Sequence, residues 1–363
     1  MAQQQSRPIR AGILGATGTV GQRFIVLLSQ NPCFEIHTLG ASERSSGKKY
    51  SEASNWKISD ALPLDIAQLE VKSCHPEHFG GCDVIFSGLD ASVAGDIEKS
   101  FFESGFPVFS NAKNYRMVPN VPLIVPTVNT EHMAVVAEQQ KSLTKTKGFI
   151  VTNSNCSVSG VAVVLKAIQS RFGKIDSVLL TTMQAISGAG YPGVASLDIM
   201  DNVVPYISGE EEKIEIELLK ILGSTNQENT GFDTQPDLKV SASCNRVPVI
   251  DGHTASVSIK FAQNPPSLEE IKSCLREYEC EAQKLGCHSA PKVAIHVTEL
   301  PDRPQPRLDR MNDNGMAATV GRIRVCPVFD VKFTVLVHNT VLGAAGASIL
   351  NAEAAFKKGL FQL

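Results

Sequence analysis

No stretch of the 363-residue sequence approaches the roughly 18 consecutive apolar residues of a membrane-spanning helix. Basic residues are not in excess: 34 Lys and Arg against 37 Asp and Glu give a formal net charge of -3. The concentrated positive patch that nucleic acid or an anionic membrane surface requires is missing, so neither partner is expected. The 9 cysteines are odd in number and none is spaced Cys-x-x-Cys. Neither they nor the 8 histidines fall at ligand spacing, so no disulfide framework and no metal site is expected. The first eight residues are polar, without the apolar core of a secretion signal, and a reduced, cytoplasmic chain is the expectation.

The composition, 43% hydrophobic and 20% charged, is ordinary for a globular protein, and the length suggests two domains. Strand and helix signals alternate through the first 150 residues. Strands are expected over 9–14, 35–39, 83–87, 107–110, 122–126 and 149–152, with helices over 20–28, 93–103 and 131–141. Such alternation implies a parallel sheet covered by helices on both faces. After a helix over 158–172 come longer runs with period-two alternation: 174–186, 238–250, 253–261 and 322–337. These suggest a mostly antiparallel sheet in an α+β unit. The Ala-rich segment 341–363 is helical in pattern and should return to the first unit. The expected organisation is an α/β, Rossmann-type dinucleotide-binding domain over 1–153, completed by 341–363. A catalytic and oligomerisation domain would occupy 154–340.

The first strand runs into Gly15-Ala-Thr17-Gly18-Thr19-Val20-Gly21 and then a helix. A glycine turn at a helix N-terminus lets backbone N–H groups approach a pyrophosphate, and no Gly-Lys-Ser/Thr follows to make it a nucleoside-triphosphate loop. Past the second strand, where NAD enzymes place an acid for the ribose, stand Ser42, Arg44 and Ser45 with Lys48 and Lys49. Hydroxyls and cations suit a 2′-phosphate, so NADP is the expected cofactor; Glu43 is expected to face solvent.

Cys156 falls where a buried strand meets a helix, in Asn153-Ser-Asn155-Cys156-Ser157. Helix-start donors should lower the pKa of such a thiol toward neutrality and stabilise an oxyanion on a carbonyl it attacks, an effect worth roughly 3–4 kcal/mol per donor. Asn155 could supply a further amide. The runs flanking Asp251-Gly252 read as a two-residue hairpin that would place Arg246 and His253 on one face, about 13 Å apart. Arg246 then offers a fork to a carboxylate, and His253 a proton-transfer group near working pH.

Asn155-Cys156-Ser157, the Gly15–Gly21 turn and the segment from Val240 through Cys244, Arg246 and Gly252-His253 together resemble the aspartate-semialdehyde dehydrogenases. Ser110 to Arg116 and Gly209-Glu-Glu-Glu-Lys213 are more similar to the archaeal and fungal branch. The resemblance implies reduction of L-aspartyl-4-phosphate by NADPH through a thioester on Cys156, serving lysine, threonine and methionine biosynthesis. It implies that Gln184 orients the acyl intermediate, Glu210 holds the substrate ammonium, and Lys213 and Arg116 hold phosphate. It places the nicotinamide near Ser187, Gly188 and Asn339, and implies a homodimer or homotetramer. Three successive glutamates leave Glu210, Glu211 and Glu212 as alternatives. Other acyl-phosphate reductases, such as N-acetyl-glutamyl-phosphate reductase, and a non-catalytic NADP-sensing protein are the rival readings. Glyceraldehyde-3-phosphate dehydrogenases have Cys-Thr-Thr-Asn where this chain has Cys156-Ser-Val-Ser.

Overall fold

The computed structural model describes residues 7–143 and 147–363. Seven short strands, β1 (Ile9–Leu14), β2 (Phe34–Ala41), β3 (Val71–Ser73), β4 (Val84–Ser87), β5 (Pro107–Ser110), β6 (Leu123–Ile124) and β7 (Phe149–Asn153), form one sheet in the order β3-β2-β1-β4-β5-β7-β6. Every pairing in it is parallel. The apolar runs read from the sequence are its central strands: β4, β5 and β7 are buried along their whole length, as strands covered on both faces must be. The strand order reverses between β1 and β4, leaving a crevice at their C-terminal ends where α/β sheets bind ligands.

The second sheet is built from β8 (Ile175–Gln184), β11 (Lys239–Arg246), β12 (His253–Phe261), β13 (Ile295–Val297), β14 (Ala318–Val325) and β15 (Val331–Val337), in the order β11-β8-β12-β15-β14-β13. The small hairpin of β9 (Ser224–Thr225) and β10 (Phe232–Asp233) lies apart from it. Pairings from β8 through β12 and β15 to β14 are antiparallel, and the two outer ones are parallel, so the sheet is mixed. The single run expected over 322–337 is two strands, β14 and β15, paired antiparallel.

The hairpin expected at Asp251-Gly252 does not form. β8 lies between β11 and β12, parallel to the first and antiparallel to the second. Alternating hydrophobicity identifies a strand but not its partner. The link between them carries Pro248, which has no N–H, and Gly252 at φ +103° instead donates its N–H to Asn339 Oδ1 (2.8 Å).

The Cys156–Phe172 helix packs on the second sheet, with Val158, Val161 and Leu165 in the same core cluster as Val257, Phe333 and Val335. The Glu210–Ile221 helix makes the crossover between the parallel strands β8 and β11 and joins that cluster through Ile214, Leu218 and Ile221. Its N-cap is Gly209 in the left-handed conformation. The segment after β15 opens with a wide π turn, Val341–Ala345, and continues as the Gly346–Lys357 helix, whose Ile349, Leu350 and Phe356 lie in one core with β1, β4 and β7. Among the described residues no helix is long and apolar enough to cross a membrane.

The turn after β1 is set by close backbone approach. Gly15 has φ +72°, and a Cβ on Gly21 would stand 2.2 Å from the Gly15 carbonyl oxygen. Gly21→Ala should therefore force the turn open at a cost of about 1–3 kcal/mol, read as a melting temperature lowered by several degrees without nucleotide. An unchanged melting temperature would mean the turn yields freely.

Candidate active site

Cys156 begins its helix directly after Asn155, the N-cap residue, whose side-chain Oδ1 accepts from Ser157 N at 2.9 Å. The sulfur lies 3.1 Å from His253 Nε2. His253, the first residue of β12, is buried, and its Nδ1 accepts the Ala185 N–H at 3.0 Å. A neutral imidazole carries one N–H, and with Nδ1 accepting, that proton sits on Nε2, facing the sulfur. Arg246, the last residue of β11, donates through Nη1 to the Ala185 carbonyl at 2.8 Å. One residue, Ala185, thus holds both groups through its backbone N–H and carbonyl. They are not spread along a strand: a Cβ on Gly188 would meet Arg246 Nη1 at 2.9 Å and His253 Nε2 at 3.1 Å. The expectation of about 13 Å falls with the hairpin on which it rested.

Gln184, paired with Arg246 in register, is buried and points its Nε2 at Glu210 Oε2 (3.4 Å). Among the three glutamates, Glu210 is the one turned inward. It accepts from Asn155 Nδ2 at 2.6 Å and from Lys213 Nζ at 2.7 Å, whereas Glu211 accepts from the Cys244 backbone N–H. One helical face on, Glu217 accepts from Arg116 Nη1 at 2.8 Å and from the Asn155 backbone N–H at 2.6 Å. Arg116 also donates to the Asn111 carbonyl (2.9 Å). Glu217 was missed in the sequence, although Glu210, Lys213, Glu217 and Lys220 recur at helical spacing and could have flagged one charged face.

Electrostatics revise the expected thiolate. Burial pushes the Cys156 thiol up to about 12, Glu210 adds to the rise, and the nearby Arg116 and Arg246 cations only partly oppose it. Burial, then Arg246 and His338, push His253 down to about 3. The resting pair is a neutral thiol beside a neutral imidazole. Desolvation outweighs the helix terminus because Asn155 already satisfies the Ser157 amide, while the Asn155 amide is itself held by Glu210. Burial would raise the Glu210 carboxyl, but the bonds from Lys213, Asn155 and Gln184 hold it below its ordinary value.

At the crevice of the parallel sheet, the helix Thr19–Ser29 starts at Gly18 with no side-chain cap and no acid in its first turn. Gly15 would strike the Gly88 carbonyl (2.8 Å) if it carried a Cβ. Ser42, Glu43 and Arg44 are exposed beyond β2, and Glu43 faces His75 at 3.8 Å. Lys49 instead bonds Gln68. From this turn a chain of contacts crosses to the second sheet. Gln22 Nε2 donates to the carbonyls of Thr17 and Asn55 (both 3.0 Å), and Asn55 Nδ2 reaches the Tyr191 hydroxyl (3.2 Å). Asn339 Nδ2 donates to Ser187 Oγ at 2.8 Å. A Cβ on Gly343, in the π turn, would stand 2.9 Å from Cys156 Cβ. These contacts tie the glycine turn to the loop after β8, that loop to Asn339, and the π turn to Cys156.

Residues 10–136 match the NAD binding domain of the semialdehyde dehydrogenases, and residues 165–342 match their dimerisation domain. An aspartate-semialdehyde dehydrogenase of Schizosaccharomyces pombe is 59% identical over 353 residues, spanning 97% of this chain and 99% of the relative. The crystal structure of aspartate semialdehyde dehydrogenase with NADP from Candida albicans superposes with a TM-score of 0.91 at 56% identity, covering 98% of this chain and 100% of that one. Aspartate semialdehyde dehydrogenase II from Vibrio cholerae, at 24% identity and a TM-score of 0.74 over 96% of this chain and 99% of that one, shares the fold. The chain belongs to the aspartate-semialdehyde dehydrogenase family.

A raised thiol pKa has a kinetic signature. Alkylation of Cys156 by iodoacetamide in the ligand-free protein, followed by peptide mass spectrometry, should accelerate about tenfold per pH unit from pH 6 to 9, as the thiolate fraction does below its pKa. A plateau above pH 7 would show the helix terminus prevailing over burial.

Proposed function

We propose that the protein reduces L-aspartyl-4-phosphate to L-aspartate 4-semialdehyde and phosphate with NADPH, through a thioester on Cys156. The observation that carries this reading is the 3.1 Å contact between Cys156 Sγ and His253 Nε2, set among buried groups of both signs. Among the described residues no ion pair includes Arg246, so its fork is available to the substrate α-carboxylate. Glu210, inward and ionised, receives the substrate ammonium, a partner that an N-acetylated substrate lacks. Arg116 and Lys213 take the phosphoryl oxygens.

The turn after β1 suits a cofactor's phosphates because its helix starts with no side-chain cap and no acid in the first turn. The amides of the Gly15–Gly21 turn, with Thr17, Gly18, Thr19 and Val20, would cradle the pyrophosphate. Ser42, Arg44 and Ser45 would hold the 2′-phosphate, and Ser187, Gly188 and Asn339 would flank the nicotinamide. When bound, NADPH supplies hydride to the acyl carbon.

The protein's own groups do the rest. Sulfur of Cys156 bonds to the acyl carbon as the carbon–oxygen bond to phosphate breaks, and the thiol proton leaves with the phosphate. Gln184 and Asn155 fix the Glu210 carboxylate on one side of the reacting carbon. The Nε2–H of His253 donates a hydrogen bond to charge developing at the sulfur and the carbonyl oxygen, and as the aldehyde departs the sulfur regains its proton from solvent beside that imidazole. Residues 1–153 with 341–363 would be the nucleotide-binding unit and 154–340 the catalytic and oligomerisation unit. The open face of the mixed sheet, where Leu179 and Met183 are exposed, would join subunits into a homodimer or homotetramer in the cytosol.

The test is phosphate-dependent NADP reduction with aspartate semialdehyde, run beside glyceraldehyde 3-phosphate and N-acetylglutamate semialdehyde. Activity should be confined to the first aldehyde; a preference for either of the others sinks the assignment. Cys156→Ser should fold yet lose at least about a thousandfold in kcat, and near-normal turnover would remove the thioester route.

A further inference from the structure

The Glu210–Ile221 helix carries two buried glutamates toward the site, and each neutralises a cation there: Glu210 meets Lys213, and Glu217 meets Arg116. The first has a place in the reaction scheme above. The second has none. Glu217 is 1% exposed, and its two oxygens are divided between Arg116 Nη1 (2.8 Å) and the backbone N–H of Asn155 (2.6 Å), the residue preceding the nucleophile. Arg116 is 8% exposed, and its Nε–H, also buried, has no hydrogen-bond partner. A guanidinium has five N–H donors, so Arg116 retains capacity for a further acceptor while already facing one full negative charge.

We propose that Glu217 is a positioning residue that weakens the protein's hold on phosphate: it is a permanent counter-anion on Arg116, competing electrostatically with the phosphoryl group. This inference rests on the reading of Arg116 as a phosphate contact. Fixed cations grouped in a partly buried site bind a multiply charged anion tightly, and product phosphate must leave in every turnover. A carboxylate on the far side of the guanidinium lowers that affinity without removing the fork, whose direction is kept by the Asn111 carbonyl. Because its second oxygen anchors the Asn155 N–H, the same carboxylate ties the phosphate contact to the turn that presents Cys156.

Glu217→Gln keeps the shape, removes the charge and leaves one oxygen, which can still accept from the Asn155 N–H while the acceptor facing Arg116 is lost. With one unit of negative charge gone from beside the anion site, phosphate should bind about tenfold more tightly. That should appear as a lower KM for phosphate in aldehyde oxidation and stronger product inhibition by phosphate in the other direction, with KM for the aldehyde within about twofold of the parent. A purely structural role would raise both KM values together and weaken phosphate binding, which overturns the proposal, as does an unchanged phosphate KM. Protection of Cys156 from iodoacetamide by inorganic phosphate separates the two layers of the reading. If phosphate gives the parent protein no protection, the assignment of Arg116 fails and the inference goes with it. If it protects the parent, the variant must be protected at lower phosphate concentration, or the inference alone fails. Should the variant be unstable, millimolar phosphate must raise its melting temperature more than the parent's, because the ligand replaces the missing anion. A variant that phosphate does not rescue would equally overturn the role.

Discussion

The backbone of Ala185 is the constraint on which the site depends. Its N–H fixes the His253 ring and its tautomer, and its carbonyl fixes Arg246, so a proton donor and a carboxylate-binding fork are held by the two backbone polar groups of one residue, on the adjacent peptide planes that meet at its Cα. That residue can sit between them only because β8 ends between β11 and β12, with Gln184 in register with Arg246 and Met183 with Thr254. The parallel crossover through the Glu210–Ile221 helix is what inserts β8 there, and the same helix delivers the two carboxylates.

Charge in this pocket is balanced locally. Burying an ion is costly unless it is paired, and Glu210 with Lys213 and Glu217 with Arg116 are paired at bonding distance. Arg246 is met by a backbone carbonyl instead. The neutral thiol and imidazole follow from the same economy: a buried ion pair between them would have to compete with the Ala185 N–H, which already occupies the nitrogen that an imidazolium would need to protonate. A substrate that brings its own negative charge and its own basic leaving group supplies what this resting arrangement withholds.

Much of the scaffold could be read from the sequence because its signals are local. The strands over 9–14, 107–110 and 253–261 coincide with those formed, since each is an apolar or alternating run bounded by turn residues. The helix expected over 131–141 begins instead as a 3-10 turn, Thr130–Val135, before the regular Val136–Lys141 segment. Long-range pairing was not legible. Asp251-Gly252 looks like a hairpin because turn chemistry does not record a third strand slipping between its arms. At the site, Cys156 could be seen from its strand-to-helix position, but not its raised pKa, which depends on residues far away in sequence. Ala185 left no trace at all, as its contribution is made by backbone atoms that every residue shares.

The π turn at Val341–Ala345 has a consequence for biosynthesis of the protein itself. Gly343 packs on Cys156, and the helix after it fills the centre of a core whose strands are made first. While the chain is being translated, the early strands therefore lack a wall of their own hydrophobic interior until the stretch through residue 357 has left the ribosome. The nucleophile's pocket is closed by residues that emerge long after Cys156 itself, so a nascent chain stalled short of Gly343 holds its reactive sulfur without the neighbour that seats it.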